Sequence, residues 1–96
     1  MNLRSYAQGR SCLVRMPGVC NGVRETTVLA HARLAGITGV GQKAPDVIGA
    51  HACSACHDVI DGRTKSEYAR EEVLTMFYEG ILRTLDLLCR DGVLRW

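Results

Sequence analysis

The coordinating chemistry of this chain is concentrated in Ala50-His51-Ala52-Cys53-Ser54-Ala55-Cys56-His57-Asp58, which holds two of its five cysteines and two of its three histidines. The C-x-x-C spacing of Cys53 and Cys56 lets a tight turn offer two thiolates to one tetrahedral metal, and His57 follows directly. Cys12 and Cys20 stand on either side of Pro17-Gly18, where proline pre-sets φ at the second position of a type II turn and glycine supplies φ > 0 at the third. Such a turn draws the two together. The four sulfurs are therefore expected to form a structural zinc site, with two inert thiols on a short hairpin as the plainer alternative for Cys12 and Cys20. Cys89 lies on an apolar stripe and reads as core.

The histidines suggest a second chemistry. Hydrolysing a phosphodiester needs a base to deprotonate water and a cation to stabilise charge on the phosphate and departing oxygen, and imidazole suits the first role because it titrates near neutrality. His31, near the end of a β-branched segment, and His57, in the first turn of a helix, could stand on either side of one phosphate. Strand alternation puts His51 on the face of Cys53, where it sits near the zinc, orients a ligand through a hydrogen bond, or is simply exposed. Asp58 and Asp61 could add a carboxylate, although acids early in a helix are common for dipole reasons alone.

Cys53-x-x-Cys56-His57 also matches the haem-attachment signature. Covalent haem belongs to exported proteins, the N-terminal Met1 to Arg10 stretch has no apolar signal core, and Cys12 and Cys20 would be left unexplained, so no haem is expected. A thioredoxin-like redox pair lacks its βαβ surroundings.

These groups need elements to position them. Arg10 to Val23 predicts a β-hairpin, with Cys12 to Met16 and Val19-Cys20 as its strands. Thr26 to Leu34 predicts a strand, Ala35 to Pro45 a loop rich in glycine, and Asp46 to Ala52 a short strand or extended arm. Asp58 to Gly62 predicts one or two helical turns ending at the glycine. Thr64 to Glu67 fits a capping box, with Ser66 as alternative cap, ahead of one amphipathic helix running to Arg90. Its stripe is Leu74, Phe77, Ile81, Leu85 and Leu88, with Val73, Tyr78 and Leu82 beside it.

With 96 residues, 47% apolar and 5% aromatic, the chain is expected to form a single α+β domain over residues 1–96 whose thin core gains from a metal cross-link. No run approaches the roughly 18 apolar residues of a membrane span, so no membrane partner and a cytoplasmic location are expected. In that reducing compartment, cysteines so spaced are metal ligands rather than disulfides. Residues 1–48 carry six basic side chains against two acidic, and residues 49–96 six against eight. The first half is thus the candidate polyanion-facing side, with Arg15, Arg24, Arg33 and Lys43 as phosphate contacts.

Ala30-His31, the glycine-containing loop, an extended segment and Cys53-x-x-Cys56-His57 resemble the zinc-bearing branch of the HNH, or ββα-metal, endonucleases. Arg10-Ser11-Cys12, Pro17 to Gly22 and Leu29 to Gly36 look closer still to the small prophage-encoded nucleases of the YbcO family, a similarity that spans nearly the whole chain. The resemblance implies a zinc-stabilised ββα-metal core with β-hairpins and a long C-terminal amphipathic helix, acting as a metal-dependent DNA endonuclease. By position it implies His31 as general base, His57 as ligand of a catalytic Mg²⁺ or other divalent ion, and Cys12, Cys20, Cys53 and Cys56 as the Zn²⁺ ligands. Asp46 is the nearest candidate, with His51, for the motif's middle polar residue and for a second ligand of the catalytic ion. Many relatives carry an acid where this chain has Ala30. That departure keeps a zinc-stabilised nucleic-acid-binding module without catalysis as the alternative.

Overall fold

A computed structural model of the chain describes residues 2–34 and 44–95. The loop expected at Ala35 to Pro45 falls outside the described residues except for Ala44 and Pro45, and Lys43 lies outside them with it. The order is α1 (Leu3–Ala7), a 3-10 turn (Arg24–Thr26), β1 (Val28–His31), β2 (Gly49–Ala52), α2 (Ser54–Ile60) and α3 (Arg70–Arg90). This is a small α+β fold.

β1 and β2 pair antiparallel, from Val28 opposite Ala52 to His31 opposite Gly49. Two strands alone are marginal in water, so the pair depends on what covers it. All four residues of β2 are buried, and their small side chains allow close approach: a Cβ on Gly49 would meet the Ala30 carbonyl oxygen at 2.8 Å. The edge of β2 that faces away from β1 is closed at His51. Its N–H donates to Thr84 Oγ1 on α3 at 3.0 Å, and its carbonyl accepts from Leu13 N–H at 2.8 Å.

The expected first hairpin does not form, since Cys12 to Met16 and Val19-Cys20 are not strands and Leu13 bonds to β2 instead. Cys12, Leu13 and Val14 are buried in succession rather than alternately, and Arg15 adopts φ +56°, which turns the chain out of an extended path. The Pro17-Gly18 turn itself forms as expected, with Gly18 at φ +76° and Val19 N–H donating to the Met16 carbonyl at 3.1 Å. The segment is thus a loop folded around Cys12 and Cys20.

α3 starts later than the capping pattern suggests. Its N-cap is Ala69, whose N–H donates to Glu72 Oε1 at 2.8 Å, while alanine offers no oxygen for the reciprocal bond. Ser66 instead accepts from Tyr68 N–H, and Tyr68 Oη donates to the Pro17 carbonyl at 2.7 Å, so this stretch crosses to the cysteine loop before the helix begins. Val73, Phe77, Gly80, Ile81, Thr84 and Leu88 form the buried stripe. Leu74 and Leu85 are only half-buried, as is Cys89, and Tyr78 and Leu82 are exposed. Gly80 lies under the cysteine loop, where an added Cβ would be 3.0 Å from Val14 Cα.

Candidate functional site

The four sulfur atoms of Cys12, Cys20, Cys53 and Cys56 lie within 4.8 Å of one another. Cys53 is the N-cap of α2 and its Sγ accepts from Cys56 N–H, so the helix start itself aims both thiols. The Pro17-Gly18 turn returns Cys20 to them, and Cys20 Sγ stands 3.8 Å from Cys53 Sγ. Tetrahedral zinc with Zn–S of about 2.3 Å requires sulfurs about 3.8 Å apart, so the donor set fits that ion. All four are free thiols, and Cys53 and Cys56 are fully buried.

The local hydrogen bonds favour one sulfur anion, on Cys12. Cys12 is held far below the usual thiol range, first because Cys56 donates to it and then because backbone N–H groups of Arg15, Cys53 and Val14 point at it. Cys56 is pushed up by the same bond, and Cys20 is pushed up chiefly by burial. A divalent cation would replace the shared thiol protons in such a cluster. Four cysteines close together, able to hold a metal such as zinc, are therefore a property of this fold.

His31 closes β1, and its Nε2 lies 2.7 Å from Asp46 Oδ1. The other Asp46 oxygen faces Arg4 Nε of α1 at 3.3 Å. The hydrogen bond to His31 and the Arg4 charge hold the Asp46 carboxyl below the usual carboxylate range. His57, on α2, pairs with Asp61 one turn on, Nε2 to Oδ2 at 3.2 Å, and Arg63 ties Asp61 and Asp58 together at 3.0 and 2.9 Å. Among the described residues, the four cysteines are the one group of three or more close metal donors. Asp46 makes its contacts with His31 and Arg4, and His57 makes its contact with Asp61.

His51 is 1% exposed, with Nδ1 lacking a hydrogen-bond partner among the described residues. Burial lowers its pKa, followed by the charge of Arg10. Of the three alternatives, exposure is thus excluded. Arg15, Arg24 and Arg33 are all exposed. Arg4 was not legible as a site residue, although Asn2 as a helix cap for Arg4 and Ser5 N–H was a usable signal. Asp61 was already among the candidates, at the i,i+4 spacing from His57.

A two-stranded sheet, a four-cysteine cluster able to hold a metal and two His–Asp pairs define a small α+β protein with a candidate metal site. The family profile described as "Putative nuclease YbcO" matches residues 1–93, and the chain belongs to that family. It is 52% identical over 97 residues to the "Putative nuclease YbcO" of Escherichia coli K12, covering 98% of this chain and 97% of that protein. The same figures hold for the "Putative nuclease ybcO" of Enterobacteria phage 82. A solved structure described as a "putative bacteriophage protein" from Escherichia coli K-12 MG1655 superposes with a TM-score of 0.80 at 44% identity, over 95% of this chain and 100% of that one. Among the described residues, no helix is long and apolar enough to cross a membrane.

Proposed function

We propose that residues 1–96 form one HNH-type domain that hydrolyses DNA phosphodiester bonds in the cytoplasm with the help of a divalent ion. The observation that carries this reading is the 2.7 Å bond between His31 Nε2 and Asp46. A carboxylate on Nε2 holds the proton on that nitrogen and leaves Nδ1 as the free base, which is the tautomer needed to take a proton from water. Arg4 fixes the carboxylate from its other side. Asp46 is thereby better used as the residue that orients His31 than as a metal ligand.

His57 Nε2 and Asp61 Oδ2 are two donors on one helix face, which suits an ion such as Mg²⁺ that takes few protein ligands and completes its shell with water and phosphate. When bound, that ion would supply charge neutralisation at the departing oxygen. Structural zinc on the four cysteines would hold the loop, β2 and α2 together around these pairs. The family name and the 52% identity to proteins so named support the nuclease reading.

Nicking of supercoiled plasmid with added Mg²⁺, Mn²⁺ or Ni²⁺ tests it. Removing a general base costs about 10²- to 10⁴-fold, so His31→Ala should fall by that much. If wild type and His31→Ala leave the plasmid equally intact, catalysis is rejected. A second reading, a zinc-stabilised nucleic-acid-binding module without turnover, draws on buried Ala30, which places a methyl group where many HNH enzymes have an acid. It predicts salt-sensitive DNA binding unaffected by His31→Ala and no metal-dependent cutting.

A further inference from the structure

A groove of about 730 Å³ opens beside α1, and every charged residue lining it is an arginine: Arg10, Arg15 and Arg24. The other lining residues are Ser5, Gln8, Gly9 and Ser11, with Tyr6, Leu13 and Leu87 as its apolar part. Arg10 sits over the Tyr6 ring, its guanidinium carbon 3.7 Å from the centroid, and Asp91 engages both. Arg10 is thus partly neutralised and acts as a platform. Arg15 and Arg24 have no carboxylate partner among the described residues, so their charge is available to a ligand.

Two features set this groove apart from scattered surface charge. Arg15 is fixed by the cysteine loop: its N–H donates to Cys12 Sγ, its Nε donates to the Cys12 carbonyl at 3.3 Å, and its backbone is left-handed. The groove also shares α1 with the His31 pair. Arg4 contacts Asp46, while Ser5, Tyr6 and Gln8 line the groove within about one helical turn, or 5.4 Å, along the chain.

We infer that the groove beside α1 is an anion site that holds the sugar-phosphate backbone of a nucleic acid, with Arg15 and Arg24 as its two phosphate contacts and Tyr6-Arg10 as its platform. The inference names the substrate-gripping surface of the nuclease reading above and rests on it only for the identity of the polymer. Guanidinium forks suit phosphate oxygens, and two arginines without carboxylate partners among the described residues on one groove suit a chain of phosphates better than a single ion.

The test is binding, without cleavage, of a short labelled DNA duplex to the zinc-loaded protein with no other divalent ion added, across a salt series. Arg15→Asn tolerates the left-handed backbone, so Arg15→Asn/Arg24→Gln removes both charges without forcing the loop to move. The double variant is expected to bind about tenfold more weakly, with a salt slope smaller by about 2. Lys65→Gln, which removes an exposed charge at a different surface cleft that shares no residue with this groove, serves as control and should leave both unchanged. Inorganic phosphate as competitor separates the sources: weak competition by phosphate and strong competition by unlabelled duplex is expected. Equal loss in the control, or no loss in the double variant, overturns the groove, as does phosphate that competes as well as duplex. Arginine-dependent binding combined with plasmid left intact would instead sink the nuclease reading while the groove stands.

Discussion

Asp46 meets His31 on one oxygen and Arg4 on the other, so both of its contacts draw on its negative charge. Replacing it with asparagine keeps the volume but allows either amide group to face Nε2, so the proton is no longer held there. Cleavage by Asp46→Asn should fall about 10- to 100-fold, as for other partners that orient a working imidazole, with plasmid nicking rates as the measure. Unchanged rates would mean His31 does not depend on its neighbour. The same pair has an acid signature. Because the folded Asp46 pKa lies below its unfolded value near 3.9, the pair's contribution to stability is present above that pH. It is lost as pH falls through the lower folded value, so the stability gap between wild type and Asp46→Asn should close below about pH 4 in denaturant titrations. Thr84 is the other side chain with a countable role, since its hydroxyl accepts from buried His51 N–H and donates to the Gly80 carbonyl at 2.8 Å. Thr84→Val orphans that N–H and should cost about 1–3 kcal/mol by urea unfolding.

At the scale of elements, α3 and the cysteine loop meet backbone to backbone at Gly80. Gly80→Ala gains about 1 kcal/mol of helix propensity but puts a methyl group 3.0 Å from Val14 Cα and 3.3 Å from the Leu13 carbonyl oxygen, neither of which can rotate aside. Overpacking of this kind costs about 1–3 kcal/mol, so the net effect should be a loss of up to about 2 kcal/mol. A more stable variant would show that the loop can retreat. Nothing in the sequence marked this contact, because glycine in a helix reads as a defect until the facing backbone is known. The Pro17-Gly18 turn, both strands and the end of α3 were legible, since each rests on local chemistry within a few residues. By contrast, α2 begins at Ser54 rather than at Asp58, because Cys53 caps it and the C-x-x-C segment is its first turn. The loop around Cys12 was misread as a hairpin because a strand pattern of apolar residues cannot reveal that sulfur clustering buries three in a row. His31 with Asp46 was illegible as a pair, because fifteen residues separate them and only the fold closes that gap.

At the scale of the whole molecule, the elements around the sulfur cluster are short and α3 is the one long element among the described residues. The sheet has two strands of four residues, α2 has seven residues, and Cys12 and Cys20 come from a loop held to β2 by one backbone bond at Leu13. Each of these pieces is too short to persist alone. The four cysteines join the loop to the start of α2, and through Arg15 the loop also places one wall of the arginine groove. Structural zinc in small domains binds with about 10–16 kcal/mol, comparable to or larger than the usual 5–15 kcal/mol stability of a whole domain. Stripping the ion with a strong chelator should therefore unfold the chain cooperatively, with loss of helical circular dichroism and of DNA binding together, and added Zn²⁺ should restore both. Cys53→Ser should behave as the stripped protein does, while Cys89→Ser, whose sulfur lies outside the cluster, should retain one zinc per chain by native mass spectrometry. A chelated protein that keeps its helical signal and its duplex affinity would mean that packing of α3 on β2 suffices, and that the four thiols have some other role.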